Sequence, residues 1–270
     1  MSAALRRSCV IAVSGLAMAL ASAAAAAGHP SSGVVPAQGA EGASGGEAVV
    51  RTQGASLFYT GPITPEAVAR ARGLLEASPQ VTEVVIHSEG GDVEAGMDFG
   101  EAIHGRGLDV RVEGGLCMSS CANYVFPAGR RKTIEPGSLV LWHGSMLQDG
   151  LARDVDFSRA EEQLGRPLRF LERWQARRAA RGFVRSKGRR QDAFYDRIGV
   201  DGAITVIGQR QGCRCNWTLS IADMARFGVL DVSAPADYAM PGYADVAYPW
   251  ELVEARTMKS MTMAPGSRWR

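Results

Sequence analysis

The sequence predicts an α/β fold with a mainly parallel sheet. From residue 49 to residue 143, predicted strands and helices alternate in the order strand, helix, strand, helix, strand, helix, strand. Such alternation indicates βαβ units. The stretch 81–87 is short, apolar and rich in β-branched residues, which is typical of a strand buried on both faces of a parallel sheet. We therefore expect one domain over residues 48–240, followed by a tail over 241–270 that shows no clear pattern.

Each element has a local signal. Residues 49–59 carry β-branched and aromatic side chains and predict one or two strands. Thr64 as N-cap and Pro65 at the first helical position predict the start of a helix. Apolar residues at helical spacing predict a second helix after residue 93, closed by Gly105. The other predicted elements are strands at 108–113 and 139–142, a break at Gly114-Gly115, and helices at 120–126, within an inserted segment at 153–200, and at 220–227.

The first residues are typical of a secretory signal peptide. Arg6 and Arg7 precede an apolar run that fades into alanine-rich A-x-A sites. The apolar run is too short for a good membrane anchor. We expect cleavage near Ala27, a flexible leader of Gly, Ala, Ser and Pro over 28–47, and an exported, periplasmic or secreted product with no stable membrane span.

The net charge of the whole chain is close to zero, but one segment is strongly basic. The formal net charge is +2, and removal of Arg6 and Arg7 leaves about zero, so we expect no nucleic-acid partner. Between Arg166 and Arg190, however, nine Arg and one Lys face a single acid, Glu172. The helical spacing of Leu164, Leu168, Leu171 and Trp174 predicts one packed face and a solvated basic face, and binding of anionic lipid or another polyanion is an alternative.

Four cysteines follow the predicted signal peptide: Cys117, Cys121, Cys213 and Cys215. An even number of cysteines in an exported protein favours disulfides, although two pairs allow three connectivities. A C-x3-C with a C-x-C could also bind zinc, but no histidine at ligand spacing supports that, so we expect no metal. Nothing in the sequence indicates a nucleotide, haem or flavin cofactor.

Three segments place reactive residue types at or just beyond predicted strand ends. They are the run from His87 to Gly91, the run from Cys117 to Ala122, and the strand ending in His143. Open α/β sheets form their sites at these ends. A Gly-Gly turn can present amides to an oxyanion, and a serine at a helix start can be a nucleophile or only a cap. His87 is the rival to His143 as the base.

The run from 84 to 143 resembles the proteolytic subunit of the Clp protease and its crotonase-fold relatives, and it is most similar to exported members with a Cys-x-Ser-x-Cys motif. The resemblance is carried by Ser88 to Gly91, by Ala128-Gly129 nine residues after the nucleophile position, by Pro136-Gly137-Ser138, and by His143. A later block, from Asn216 to Asp231, extends the resemblance. It implies a ββα spiral in which the Arg-rich insertion is a projecting helix used in ring assembly, and so leaves a homo-oligomer open.

The resemblance implies that Ser120 is the nucleophile, His143 the general base, and the amides of Gly91 and Cys121 the oxyanion hole. The Cys-x-Ser-x-Cys pattern instead selects Ser119, which stays as the alternative nucleophile. The position of the family's triad aspartate is occupied by Asn216, which carries no charge. If Asn216 lies near His143, a disulfide from Cys117 or Cys121 to the Cys213/Cys215 pair is expected to staple the site; Cys121 as a thiol nucleophile is a minor alternative.

These residues support two main hypotheses. The first is a serine hydrolase acting on a peptide or an ester. The second is a binding or assembly module that keeps the fold with a degenerate triad, and Asn216 favours it. Acyl-thioester chemistry, as in the crotonases, is a third and more remote hypothesis.

Overall fold

The computed structural model describes residues 46–151 and 156–255. The predicted signal peptide and almost all of the predicted leader lie outside the described residues. Within these ranges the strands are β1 (Val49–Gln53), β2 (Ser56–Thr60), β3 (Glu83–Ser88), β4 (Asp109–Met118), β5 (Lys132–Ile134), β6 (Leu139–Leu141), β7 (Asn216–Leu219), β8 (Val232–Ser233) and β9 (Trp250–Val253). The α-helices are α1 (Pro65–Ala77), α2 (Val93–Gly105), α3 (Ser158–Leu164), α4 (Phe170–Ile198), α5 (Ile207–Arg210) and α6 (Ile221–Arg226), with a π-helix at Cys121–Val125 and a 3-10 helix at Gly202–Thr205.

The larger sheet has the strand order β1-β2-β3-β4-β5-β8, and β6 also pairs with β4. Only the β1–β2 pair is antiparallel; the other pairs in this sheet are parallel. The prediction of an α/β fold with a mainly parallel sheet is therefore confirmed.

Strand β4 differs from the prediction. A break was expected at Gly114-Gly115, but the strand continues through both glycines to Met118. The extra length is accommodated by a register shift against β3 between Ile86 and Ser88. The first half of β4 pairs with β5 and its second half with β6, so β4 branches between two neighbours.

The helices α1 and α2 begin where the sequence gives capping signals. The Thr64 side chain accepts a hydrogen bond from the Ala67 amide (3.2 Å), and Asp92 Oδ1 accepts one from the Ala95 amide (2.7 Å). Each cap satisfies an amide that has no partner inside its helix. The apolar sides of both helices are buried in the core, where Tyr59 of β2 contacts Phe99 of α2.

The tail contains a strand that the sequence pattern did not reveal. Strand β9 pairs in parallel with β7 to form a second, two-stranded sheet. Val253, the last residue of β9, and Ala255, two residues beyond it, belong to the buried core. The backbones of Trp142 and Trp217 exchange two hydrogen bonds of 2.8 Å, which join this small sheet to the end of β6.

The Arg-rich insertion forms mainly α4, a helix of 29 residues. Its C-terminal part packs through Phe194 and Tyr195 against Tyr124 of the π-helix. Salt bridges tie this part of α4 to α2, through Lys187 with Glu94, Arg190 with Asp98, and Arg197 with Glu101. None of the described helices combines the length and apolar character needed to cross a membrane.

Candidate functional site

The Gly90-Gly91 turn after β3 packs directly against the end of β4. Gly90 has φ +94, and a Cβ placed on it would lie 2.6 Å from the carbonyl oxygen of Met118 and 2.6 Å from Cβ of Ser119. Only a glycine tolerates both this backbone conformation and this close approach. The glycine turn and the Ser119-Ser120 turn are thereby held together at the strand ends, as the sequence predicted.

The amide of Gly91 faces the serine turn. The Ile63 amide donates to Gly90 O and the Asp92 amide donates to Ile63 O, both at 2.8 Å. Because a trans peptide points its N–H and C=O in opposite directions, the N–H and C=O of Gly91 both face away from Ile63. Its C=O accepts the Ser120 hydroxyl, so its N–H lies on the same side, where no described residue accepts from it.

The Ser120 hydroxyl is turned inward. Ser120 is 2% exposed, and its hydroxyl donates to Gly91 O at 2.8 Å. Its Cβ lies beside the start of α2, 3.1 Å from where a Cβ on Gly96 would stand. The expectation that this hydroxyl reaches His143 is not met, because it is engaged with the glycine turn instead.

Ser119 occupies the turn itself. It is half-buried, and its φ of +57 is in the left-handed region that non-glycine residues rarely adopt. Such a conformation costs on the order of 1–3 kcal/mol and is concentrated at functional sites. The Ser119 amide donates to Leu141 O at 3.1 Å, which places this residue beside the end of β6, two residues before His143.

The helix that follows is a π-helix, whereas an α-helix was expected at 120–126. Its defining contact is the Phe126 amide donating to Cys121 O at 3.0 Å, a separation of five residues. The amides of Ser120 and Cys121, at its N-terminal end, donate to no described acceptor. A Cβ on Gly90 would lie 2.8 Å from the nitrogen of Ser120, so the Ser120 amide is close to the glycine turn.

A disulfide joins Cys117 to Cys121 and encloses this turn. A second disulfide joins Cys213 to Cys215. All four cysteines are therefore oxidised as expected, but the expected staple between the two pairs is wrong, because each cysteine bonds to its near neighbour. The first disulfide constrains the backbone on both sides of Ser119 and Ser120.

His143 is half-buried just beyond β6, where burial lowers the pKa of its imidazole below the ordinary 6.5. The neutral, base-competent form is therefore favoured at neutral pH. Within the described part of the chain, no hydrogen bond joins this imidazole to the side chain of Ser119, Ser120 or Asn216.

Asn216 and His143 each adjoin one residue of an antiparallel bridge. The bridge joins Trp142 to Trp217, so it brings the chain segments that carry His143 and Asn216 together. The Asn216 side-chain amide donates to Pro249 O at 3.1 Å. The neighbouring residue Tyr248 donates its hydroxyl to Glu89 Oε2 at 2.8 Å, beside the glycine turn.

The side chain of His87, the alternative base, contacts the backbone of β4. Its Nδ1 accepts a long hydrogen bond from the Leu116 amide (3.4 Å), and its ring lies over Gly115. Its ring therefore supports the irregular part of β4.

Sequence analysis missed the residues that hold the loop after His143. Gln209 donates to His143 O at 3.0 Å, and the Asn123 side-chain amide donates to Gly144 O at 2.9 Å. One step further, Gln191 of α4 donates to the Ser145 hydroxyl (3.2 Å), which also contacts the Thr205 hydroxyl at 2.7 Å. These polar residues are distant in sequence, and no motif marks them.

Among the described residues, the potential metal ligands that cluster are Cys213, Cys215 and Glu251. Both sulfurs belong to a disulfide, and a disulfide offers no thiolate to a metal.

Scans against protein-family models and against curated proteins find no match for this chain.

Proposed function

We propose that this protein is a serine hydrolase of the Clp-protease and crotonase type, in which Ser119 is the nucleophile and His143 is the general base. The observation that carries the proposal is the strained, half-buried Ser119 beside a glycine turn whose amide lacks an acceptor. The branching of β4 between β5 and β6 supports the spiral fold.

The π-helix supports Ser119 over Ser120. The count of nine residues back from Gly129 selects Ser120 only when the intervening helix is α-helical. A π-helix arises by insertion of one residue into an α-helix, and such insertions are frequent at functional sites. Removing the extra residue from the count moves the nucleophile position to Ser119, which the Cys-x-Ser-x-Cys pattern also selects.

The reaction follows from these positions. His143 accepts the Ser119 proton as the oxygen bonds to the carbonyl carbon of a peptide or ester, and it then donates that proton to the leaving amine or alcohol. The amides of Gly91 and Ser120 stabilise the oxyanion, with Ser120 replacing Cys121 in this role. Water, activated by the same imidazole, then releases the acid and restores Ser119.

The Ser120 side chain has a positioning role in this scheme. Its hydrogen bond to Gly91 O holds the Gly91–Asp92 peptide, which adjoins the peptide that carries the Gly91 N–H, against Ser120, and so helps to position both oxyanion donors. We therefore expect different effects on activity when each of the two serines is replaced.

A fluorophosphonate probe tests the proposal. We expect labelling of the wild-type protein, complete loss in Ser119→Ala, and slower but detectable labelling in Ser120→Ala. Labelling that persists in Ser119→Ala and disappears in Ser120→Ala would assign the nucleophile to Ser120. Absence of labelling in folded wild-type protein would overturn the hydrolase proposal.

One observation favours a second function, a binding module with a degenerate triad. Asn216 carries no charge, and its amide is bound to Pro249 O rather than to His143. Loss of the triad carboxylate costs several orders of magnitude in a serine protease. The Asn216→Asp variant discriminates the two functions. Faster probe labelling of the variant than of the wild type supports a working hydrolase site. If neither the wild type nor the variant is labelled, the binding module is supported.

Export to an oxidising compartment is part of the proposal. The two disulfides support it, because such bonds persist in secreted and periplasmic proteins. Mass measurement of the protein recovered from the periplasm tests for cleavage near Ala27.

A further inference from the structure

We propose that the exposed side of α4 docks on an anionic lipid surface. Four arginines define this side, which we call the basic face: Arg178, Arg181, Arg185 and Arg189. They recur at intervals of three or four residues, so they line one side of the helix. All four are exposed.

Within the described residues, no acidic side chain pairs with the basic face. The sequence contains no Asp or Glu between Arg173 and Arg190. Acids of neighbouring elements pair with other basic residues of α4: Glu161 with Arg173, Glu94 with Lys187, and Asp98 with Arg190. Within the described part of the chain, no ion pair reaches the basic face.

An apolar patch continues the basic face toward the start of α4. Phe170, Leu171 and Trp174 are 87%, 60% and 46% exposed. Trp174 lies one turn before Arg178, whose guanidinium stands over the indole ring at 5.6 Å from its centre. The opposite side of α4 is buried through Ala176, Ala180 and Phe194, and nothing in residues 46–151 and 156–255 covers the exposed side.

The chemistry of this side matches a lipid surface better than a second copy of the chain. Aromatic and leucine side chains beside a basic row are typical of helices that lie in the membrane interface. A two-fold contact between identical faces would place arginines against arginines, which is unfavourable. Lipid phosphates supply the missing negative charge, and the acyl boundary accepts Phe170 and Trp174.

Vesicle co-sedimentation tests this inference, with protein purified from cells that express the full chain. We expect binding to vesicles of equal parts phosphatidylglycerol and phosphatidylcholine, weak binding to pure phosphatidylcholine, and loss of binding at high salt. Substitution of three arginines, Arg178→Gln, Arg181→Gln and Arg185→Gln, is expected to weaken binding about a hundredfold, since each basic residue near an anionic surface contributes roughly a fivefold gain.

The matched control removes the same charge elsewhere, through Arg51→Gln, Arg72→Gln and Arg214→Gln, all at exposed positions. It is expected to keep binding close to wild type. Equal binding of the two triple variants, or equal binding to the two kinds of vesicle, would refute the inference. If Phe170→Ser with Trp174→Ser dissociates an oligomer while vesicle binding is absent, the face belongs to a second copy instead.

Discussion

The two neighbouring serines differ in what their backbone and side chains do. Ser120 has ordinary helical backbone dihedrals, and its hydroxyl donates a hydrogen bond to Gly91 O. Ser119 instead has a left-handed backbone conformation at the strand-to-helix turn. Left-handed backbone at a non-glycine residue persists only where the surroundings enforce it. Here the Cys117–Cys121 disulfide, the Leu141 carbonyl and the glycine turn enforce it together.

The lowered pKa of His143 makes a prediction about pH. The unfolded imidazole binds a proton near pH 6.5, but the buried imidazole binds one only at lower pH. The folding stability is therefore expected to fall as the pH drops below about 6.5 and to stop falling below the folded pKa. Probe labelling is expected to decline over the same acidic range.

Urea unfolding across this pH range measures the effect in the wild type, in His143→Gln and in the control His104→Gln, whose side chain is exposed on α2. The pH-dependent loss should be smaller in His143→Gln and unchanged in His104→Gln. An identical pH dependence in all three proteins would contradict the assigned role of burial.

At the scale of elements, α4 is both an exposed helix and a support for the site. Its Gln191 is fully buried, and its Oε1 accepts the hydroxyl of Tyr124 (2.8 Å) and, more distantly, the Met146 amide (3.4 Å). Its Nε2 donates to Ser145, two residues after His143. One side chain thus links α4, the π-helix and the loop that follows His143.

We expect Gln191→Leu to lower the free energy of unfolding by about 3 kcal/mol, because several buried polar groups lose their partner. The matched control on the same helix is Gln175→Leu, at an exposed position, which should change stability little. Denaturant unfolding measures both variants. A loss in Gln175→Leu as large as in Gln191→Leu would mean that the buried network is not the cause.

The disulfide around the serine turn is the second element-scale constraint. Replacing Cys117 and Cys121 by Ala is expected to cost about 2 kcal/mol from chain entropy for so short a loop. Probe labelling should fall more than in the control that replaces Cys213 and Cys215, because only the first disulfide encloses the turn. Equal labelling of the two double variants would exclude this role.

At the scale of the whole molecule, the C-terminal part of the described chain packs against residues of the candidate site. Strand β9 completes the small sheet with β7, and the segment just before it contacts both Glu89 and Asn216. The small sheet is joined to the end of β6 through the Trp142–Trp217 pair. Residues from opposite ends of the domain therefore contact one another, Tyr248 with Glu89 and Pro249 with Asn216.

A chain ending at Pro249 tests the contribution of β9. It loses the pairing with β7 and the buried Val253, so we expect a loss of about 3 kcal/mol relative to a chain ending at Ala255, which keeps the strand. Thermal unfolding of the two truncated proteins measures the difference. Equal melting temperatures would show that β9 adds nothing to the domain.

Local signals predicted the local structure well. Thr64 and Pro65 marked the start of α1, and the apolar run at 81–87 marked β3, because caps and hydrophobic patterns act within a few residues. The run through Gly114-Gly115 was misread, since the glycines are tolerated by an irregular pairing that depends on β3. Strand β9 was missed because its pairing partner lies more than thirty residues away along the chain.

For the candidate site too, local features were predicted from the sequence and features that depend on long-range packing were not. The sequence placed the glycine turn, the serine pair and His143 at neighbouring strand ends, which parallel topology dictates. The count of positions favoured Ser120 over Ser119, and the extra residue of the π-helix, which argues for Ser119, is invisible to such a count. Sequence analysis also missed Asn123, Gln191 and Gln209, whose roles arise only from packing.

The paired tryptophans give this protein a built-in optical reporter. Trp142 and Trp217 are fully buried, their indole N–H groups have no hydrogen-bond partner among the described residues, and each adjoins a residue of the site, His143 or Asn216. Tryptophan side chains that are buried away from solvent emit fluorescence at short wavelength. Binding of a small inhibitor beside His143 should therefore alter the intrinsic fluorescence, with no attached dye needed to follow it.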